Sequence, residues 1–430
     1  MRKSMALYFR AWLAVIILLL PLLSPLAIVA QEMPLVNADG TLTFIFSCPG
    51  ADEVSLEGDF GKFDMRREGD MWVYTTRKPL DSDMYTYHFL IDDEDDEAVP
   101  DPRNPRWVRD IADTLSWFIV PGDPGSYFMD RDIPHGCVSQ EWYPSSFNSD
   151  YPQRRLSVYL PPGYTTDTLS RYPVLYLLHG TGGDELTWLE MGRLAQIMDS
   201  MIEEEKCKPM IMVMPNGIAD LDAAPGHSPY HEAEPSSQNM SSWLGRTEAA
   251  LPAEVIPFVE ERYRCQEGKS ARAIAGLSMG GMHAAAISMN FPELFDYVGL
   301  FSPQTINPLT ESDLVMKIQG ISNTAGEFLG GLPFIGRAVR KNYDESTRQV
   351  ANLSIYEDVD EKLQTQFSEA PRLYYIAIGK DDSLRYFLKK FRSRLDEAGA
   401  TYCYYESSGG HSWNNWRRYL LDFLPRLFYE

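Results

Sequence analysis

Cysteine is scarce in this chain: five residues, at positions 48, 137, 207, 265 and 403. No two stand at the close spacing of a zinc ribbon or a dithiol redox pair, so those classes are excluded. At most two disulfides could form. A chain this long holds a core without them, and buried free thiols are the expectation. Histidine is also rare, with seven residues. The one local cluster, His227-Ser228-Pro229-Tyr230-His231-Glu232, is broken by proline and flanked by Pro225 and Gly226. Two ligands at i and i+4 need a continuous helix to converge, so no metal site is expected there. Basic residues are outnumbered, 39 against 61 acidic ones, for a net charge of −22. Such a surface repels nucleic acid. A phosphate-cradling loop is missing too. Gly268-Lys269-Ser270 has Tyr263 where the pattern needs its first glycine. Beyond the first thirty residues no apolar run approaches the roughly 20 residues that span a bilayer. Internal repeats and low-complexity tracts are absent as well.

Residues 1–30 do carry one apolar run. Arg2, Lys3 and Arg10 precede or enter it, Leu13 to Leu23 forms its core, and Pro21 and Pro25 interrupt it. This is the pattern of a secretory signal peptide, with cleavage expected after Ala30; the alternative, a transmembrane anchor, is disfavoured by the two prolines that break the run. Its removal makes the mature chain three charges more negative and leaves no stable membrane insertion. A secreted or periplasmic location follows. A neutral or sugar-like substrate is compatible with the acidic surface.

The most informative feature is Gly276-Leu277-Ser278-Met279-Gly280. An apolar strand pattern, Ala271 to Ala275, precedes it, and a small-residue helix pattern, Gly281 to Met289, follows. A serine between glycines at a strand-to-helix turn is a nucleophile elbow, in which the sharp turn lifts the hydroxyl off the sheet edge. The motif alone is weak, so the rest of the chain must supply a base and an acid. On this kind of sheet they follow in the order acid, then histidine. Arg372 to Gly379 is an apolar strand ending at Lys380-Asp381-Asp382-Ser383, and Tyr402 to Glu406 is another, ending at Gly409-Gly410-His411. His283 and His411 are the histidines beyond Ser278. His283 falls one helical turn past the elbow, where packing is expected, so His411 is the candidate base. Either Asp381 or Asp382 serves as the acid, and one of the pair caps the helix expected over Ser383 to Ala398. A final amphipathic helix is expected from Trp413 to Tyr429. Upstream, Tyr172 to Leu178 runs into His179-Gly180-Thr181-Gly182-Gly183. The loop after the third strand supplies one oxyanion N–H and the residue after the nucleophile the other: Thr181 and Met279.

Together these blocks resemble the carbohydrate esterase family that includes feruloyl esterases, within the esterase D group of α/β-hydrolases. The matching residues are Pro134-His135-Gly136, Val158 to Tyr164, Tyr172 to Gly183 with Glu185 and Trp188, Met214 to Gly217, Ala273 to Gly281, Gly379 to Leu384, and Gly409 to His411 with Trp416. They cover roughly residues 126–430. The resemblance implies an α/β-hydrolase fold and places the acid on Asp382. It implies hydrolysis of ferulate or acetate esters of glycans with no cofactor, although the family also holds acyltransferases and thioesterases. Trp188, Trp413 and Trp416 are candidates for stacking on substrate, or for core. The stretch 309–357 is longer than in simple members and reads as an insertion, either a lid or a surface excursion.

Residues 35–122 alternate in strand fashion with turns at short spacing, which argues for a small β-sandwich. Leu56 to Phe60, Asp70 to Trp72, Tyr85 to Phe89 and Asp101 to Pro105 resemble the early-set sandwich related to glycogen-binding modules. Phe63 stands where that family often has a sugar-stacking tryptophan, and Trp72 reads as core. A packing or positioning role is therefore favoured over sugar binding. The acidic run 92–97 reads as a solvated hairpin tip, and 120–125 as the linker. The expected architecture is an immunoglobulin-like sandwich followed by an α/β-hydrolase acting on an acylated oligo- or polysaccharide. A glycan-binding protein with an inert hydrolase fold is the non-enzyme alternative.

Overall fold

A computed structural model describes residues 33–92, 98–111, 113–147, 152–219, 221–228, 245–304 and 353–429. The signal-peptide reading, residues 93–97 of the acidic run, His231-Glu232 and residues 309–352 of the insertion lie outside the described residues.

Nine strands come first: β1 (Leu35–Val36), β2 (Leu42–Ser47), β3 (Val54–Gly58), β4 (Gly61–Asp64), β5 (Arg66–Glu68), β6 (Met71–Thr75), β7 (Asp83–Ile91), β8 (Trp107–Asp110) and β9 (Asp113–Val120). They form two antiparallel sheets, ordered β1-β2-β6-β5 and β4-β3-β7-β9-β8. Period-two alternation sends Phe44, Phe46, Leu56, Trp72, Tyr87 and Phe89 into one aromatic core between the sheets. Phe44 and Tyr87 meet edge-to-face at 5.0 Å, and Phe46 stacks on Phe89 at 4.3 Å. Trp72 is buried, and its indole N–H donates to the Cys48 carbonyl. Phe63 stacks on Tyr74 at 4.5 Å.

Eight strands follow: β10 (Cys137–Pro144), β11 (Gln153–Leu160), β12 (Val174–Leu178), β13 (Ile211–Pro215), β14 (Arg272–Leu277), β15 (Tyr297–Phe301), β16 (Leu373–Gly379) and β17 (Cys403–Ser407). Their order is β10-β11-β13-β12-β14-β15-β16-β17. The first two pairings are antiparallel and the rest parallel. Strands β12 to β15 are buried on both faces and read as continuous apolar runs, as parallel strands covered by helices do. The helices that matter here are α1 (Leu194–Glu203), α2 (Met279–Asn290), α3 (Val359–Ser368), α4 (Arg385–Glu397) and α5 (Trp413–Phe423). Helix α5 stops six residues short of the expected end, and a 3₁₀ turn over Leu424–Arg426 follows it at Pro425. This is the α/β-hydrolase arrangement, with β12 as its third strand. No described helix is long and apolar enough to cross a membrane. The cysteines are free, but only Cys207 and Cys265 are buried. Cys137 and Cys403 are exposed because they fall at the starts of edge strands β10 and β17.

The sandwich does not hang on a linker. Met84, Val108, Leu115 and Phe128 join Trp188, Leu194 and Trp413 in one apolar cluster across the junction. Arg417 of α5 is fully buried there. Its guanidinium donates to the Met84 carbonyl at 2.6 Å, the Met191 carbonyl at 2.8 Å and Asp83 Oδ1 at 3.4 Å. Arg418 donates to Asp83 Oδ2 at 3.0 Å. Removing one partner of a buried pair strands the other charge, at a cost of about 3–5 kcal/mol. Arg417→Ala is expected to lower unfolding free energy by about that much, read by urea denaturation. A loss below about 1 kcal/mol would show that the pair does not hold the two parts together.

Candidate active site

Strand β14 delivers the chain to Ser278, and α2 carries it away at once. Ser278 sits at φ +51°. A left-handed turn at a non-glycine residue costs on the order of 1–3 kcal/mol and persists only where its surroundings hold it. Three backbone bonds do so here. Ser278 N–H donates to Phe301 O at 2.9 Å, and Ser278 O accepts from Gln304 and Met282. The flanking glycines are needed for space. A Cβ on Gly276 would lie 2.3 Å from the Gly280 backbone, and one on Gly280 would lie 2.5 Å from the Leu178 and His179 carbonyls.

The candidate acid and base lie past the ends of β16 and β17. His411 Nε2 lies 3.0 Å from Ser278 Oγ, and His411 Nδ1 lies 2.9 Å from Asp382 Oδ2. Asp382 is buried, and its Oδ1 accepts the Leu384 N–H at 2.8 Å at the entry to α4. One side chain therefore orients the imidazole and holds the turn leading into α4, whose N-cap is Leu384 without a side-chain cap, so the capping expectation for Asp381 or Asp382 is not met. Asp381 is exposed and takes no part. Asn415 fixes the histidine loop: its Nδ2 donates to Gly410 O at 2.8 Å, and its Oδ1 accepts from Ser407. His283, on α2, is fully buried and lies 2.6 Å from Glu248. Its packing role matches the sequence expectation.

The loop after β12 carries Thr181. His179 braces it from beneath. Its Nδ1 donates to Gly180 O at 2.8 Å, and its Nε2 accepts the Gly217 N–H at 2.8 Å. Thr187 and Asp184 tie the following turn together. Buried Glu185 accepts from Arg155, Asn216 and the Ala224 N–H, locking this loop to the end of β13. Among the described residues, neither the Thr181 nor the Met279 N–H donates to a turn or loop acceptor. Both stay available for an incoming oxygen.

Ser278 and His411 open on a cavity of about 290 Å³. Thr181, Leu277, Trp413 and Trp416 line one side. Trp416 meets the His411 ring edge-on at 4.9 Å, and Trp413 meets Trp416 at 5.2 Å. Trp188 does not line the cavity. It is 1% exposed, donates its indole N–H to Leu178 O, and serves as core behind Trp413. The substrate-stacking expectation is corrected for Trp188: the helical turn that bears it points into the junction cluster. The opposite wall comes from the sandwich, through Asp59, Thr86, His88, Asp110 and Ile111. Sequence reasoning missed this wall, because nothing local marks a strand face as facing a second sheet. It also missed His179 and Asn415, both adjacent to residues it singled out. No group of three or more His, Cys, Asp or Glu that could hold a metal occurs among the described residues. His227 is exposed on its loop.

A hydroxyl, an imidazole and a carboxylate in hydrogen-bonded series, beside two unengaged N–H groups, can activate oxygen for attack on a carbonyl. Fold and site define an α/β-hydrolase with a serine elbow. The chain belongs to the putative esterase family, whose sequence pattern matches residues 151–427. It is 33% identical over 285 residues to an endo-1,4-beta-xylanase/feruloyl esterase of Xylanibacter ruminicola, covering 65% of this chain and 37% of that one. An esterase of Mycobacterium tuberculosis is 27% identical over 261 residues, 60% of this chain and 52% of its own. An acetyl esterase of Caldicellulosiruptor saccharolyticus is 25% identical over 255 residues, 58% and 80%. The chain thus spans about a third to a half of the length of the first two relatives. The enterobactin esterase of Shigella flexneri shares the fold over 90% of this chain and 93% of its own, at 17% identity and TM-score 0.58.

His179 generates a pH expectation. Burial holds its pKa down, from 6.5 to about 4, with the bond to Gly180 only partly opposing it. The unfolded chain therefore binds this proton first as pH falls. Stability should drop between pH 6.5 and 4, by up to about 3 kcal/mol from this group. His179→Gln, which cannot titrate, is expected to flatten that part of the melting-temperature profile. An unchanged slope would contradict the assignment.

Proposed function

We propose that this chain is a secreted serine esterase that removes acyl groups from glycans or their oligosaccharides. The observation that carries the reading is the series Asp382–His411–Ser278, at 2.9 and 3.0 Å, at the mouth of a cavity with tryptophan on one wall. Ser278 Oγ attacks the ester carbonyl as its proton passes to His411 Nε2. Asp382 holds the Nδ1 proton and stabilises the imidazolium. The Thr181 and Met279 N–H groups receive the oxyanion, and each such donor contributes about 3 kcal/mol of barrier lowering. His411 then protonates the departing alcohol, leaving the acyl group on Ser278. Water, deprotonated by His411, releases the acid.

Two acyl groups are supported. Ferulate is favoured, because Trp413 and Trp416 suit an aromatic ring and the relative from Xylanibacter is named a feruloyl esterase. Acetate is the second reading, supported by the named acetyl esterase. The units are taken as residues 35–122 and 126–430, with export directed by residues 1–30.

The test is release of ferulate from methyl ferulate, and of acetate from p-nitrophenyl acetate, by the full mature chain. Ser278→Ala is expected to lower turnover by about 10⁴-fold or more while the melting temperature stays near wild type. Undiminished hydrolysis by Ser278→Ala would remove the assignment. Acetate release without ferulate release would select the second reading.

A further inference from the structure

The wall facing Ser278 is built by the sandwich, and the strand period explains how. Along β7, Tyr85, Tyr87 and Phe89 point into the aromatic core between the two sheets. Met84, Thr86 and His88 alternate with them and point out of the sandwich. Met84 packs into the junction cluster, while Thr86 and His88 line the cavity. Glu57 of β3 lies directly across from His88 and lines it too. Asp59 spends one carboxylate oxygen on the Thr86 N–H, at 2.7 Å, and on the Thr86 hydroxyl.

The β8–β9 hairpin is locked against the oxyanion loop. Ile111, at its tip, holds φ +56°, which is costly for a β-branched residue. The conformation sets its side chain against Gly182. A Cβ on Gly182 would lie 2.8 Å from Ile111 Cγ1. Arg109 pairs with Asp184, two residues further along that loop. Asp110, between these two anchors, faces the cavity.

Two of these side chains lack hydrogen bonds. His88 is 6% exposed, yet its ring nitrogens bond to no described residue. The Asp110 carboxyl bonds to none either. Asp110 is half-buried, and the polar atoms of both side chains open on the cavity, so their hydrogen-bonding capacity is free for an entering group. Burial, with Lys62 nearby, lowers the His88 pKa, although Asp113 opposes this. A neutral ring offers one N–H and one lone pair. Burial and the Asp59 and Asp113 carboxylates raise the Asp110 pKa to about 7, against Arg109, so it too can donate or accept. A hydroxyl both donates and accepts, so a polyol matches this wall. Glu57 and Asp59 disfavour an anionic alcohol there.

We propose that the sandwich forms the alcohol-binding wall of the cleft, with His88 and Asp110 hydrogen-bonding hydroxyls of the uncharged sugar whose ester Ser278 attacks. This rests on the esterase reading above and adds the half of the substrate that the sandwich selects. It differs from a glycan-binding surface at Phe63, whose ring is already stacked on Tyr74.

The experiment compares, in the full mature chain, kcat/KM for a feruloylated pentose with that for methyl ferulate, and for an acetylated xylose with that for p-nitrophenyl acetate. His88→Phe keeps a planar aromatic ring and removes the hydrogen bonds, and Asp110→Ala is the second variant, in case the first does not fold. Each is expected to lower the sugar-to-simple-ester ratio about tenfold, the usual cost of a lost hydrogen bond to a substrate group. Ser278-dependent turnover with ratios within twofold of wild type would overturn the sugar wall and leave the esterase standing. No turnover of any ester by folded wild-type protein would overturn both.

Discussion

The structure turns on one strained residue. Ser278 is forced to φ +51° because β14 must end and α2 must begin within a single step. That step is possible only where two backbones nearly touch, which is why Gly276 and Gly280 carry no side chain. The same turn does three things. It raises the hydroxyl clear of the sheet, it leaves the Met279 N–H without an intrahelical acceptor, and it lets Gly280 seat against the carbonyls beneath Thr181. The strain is offset by the backbone bonds from Phe301 and Gln304 and by the buried parallel strands around it. Catalytic geometry and core packing are therefore one problem, solved at one peptide.

Around that residue the site is assembled from strand ends. Asp382 follows the end of β16, His411 lies beyond β17, and the Thr181 loop follows β12. The second half of the cleft comes from a different fold unit. The Arg417–Asp83 pair, with the Met84 and Met191 carbonyls, fixes the sandwich on α5, one turn from Trp413. Ile111 and Gly182 fix it again at the oxyanion loop. With two anchors on either side of the cavity, the sandwich is part of the site rather than an appendage to it.

Much of this was legible in the sequence. Ser278 and His411 were readable because the elbow pattern and the order of the strands constrain them. The third-strand loop was readable for the same reason. Strand order alone left Asp381 and Asp382 open, since both follow the strand; the family resemblance pointed to Asp382, and the structure sets that carboxylate beside His411. Trp188 misled because an aromatic near a site serves core and substrate equally well, and only burial separates the two. Strands β8 and β9 went unread: their turn, Asp110 to Asp113, contains no glycine, and Ile111 takes the left-handed position that a sequence reader assigns to Gly or Asn. The exposed Cys137 and Cys403 went unread because edge strands look like central ones until the sheet order is known.

The central claim is that Ser278 is an activated nucleophile held by His411 and Asp382. The most direct measurement is reaction of the folded protein with a fluorophosphonate, followed by mass spectrometry of the digested protein. The account predicts one covalent adduct, on the peptide carrying Ser278, and its loss in His411→Ala. A folded protein that takes no label, or takes it on another residue, would contradict the account.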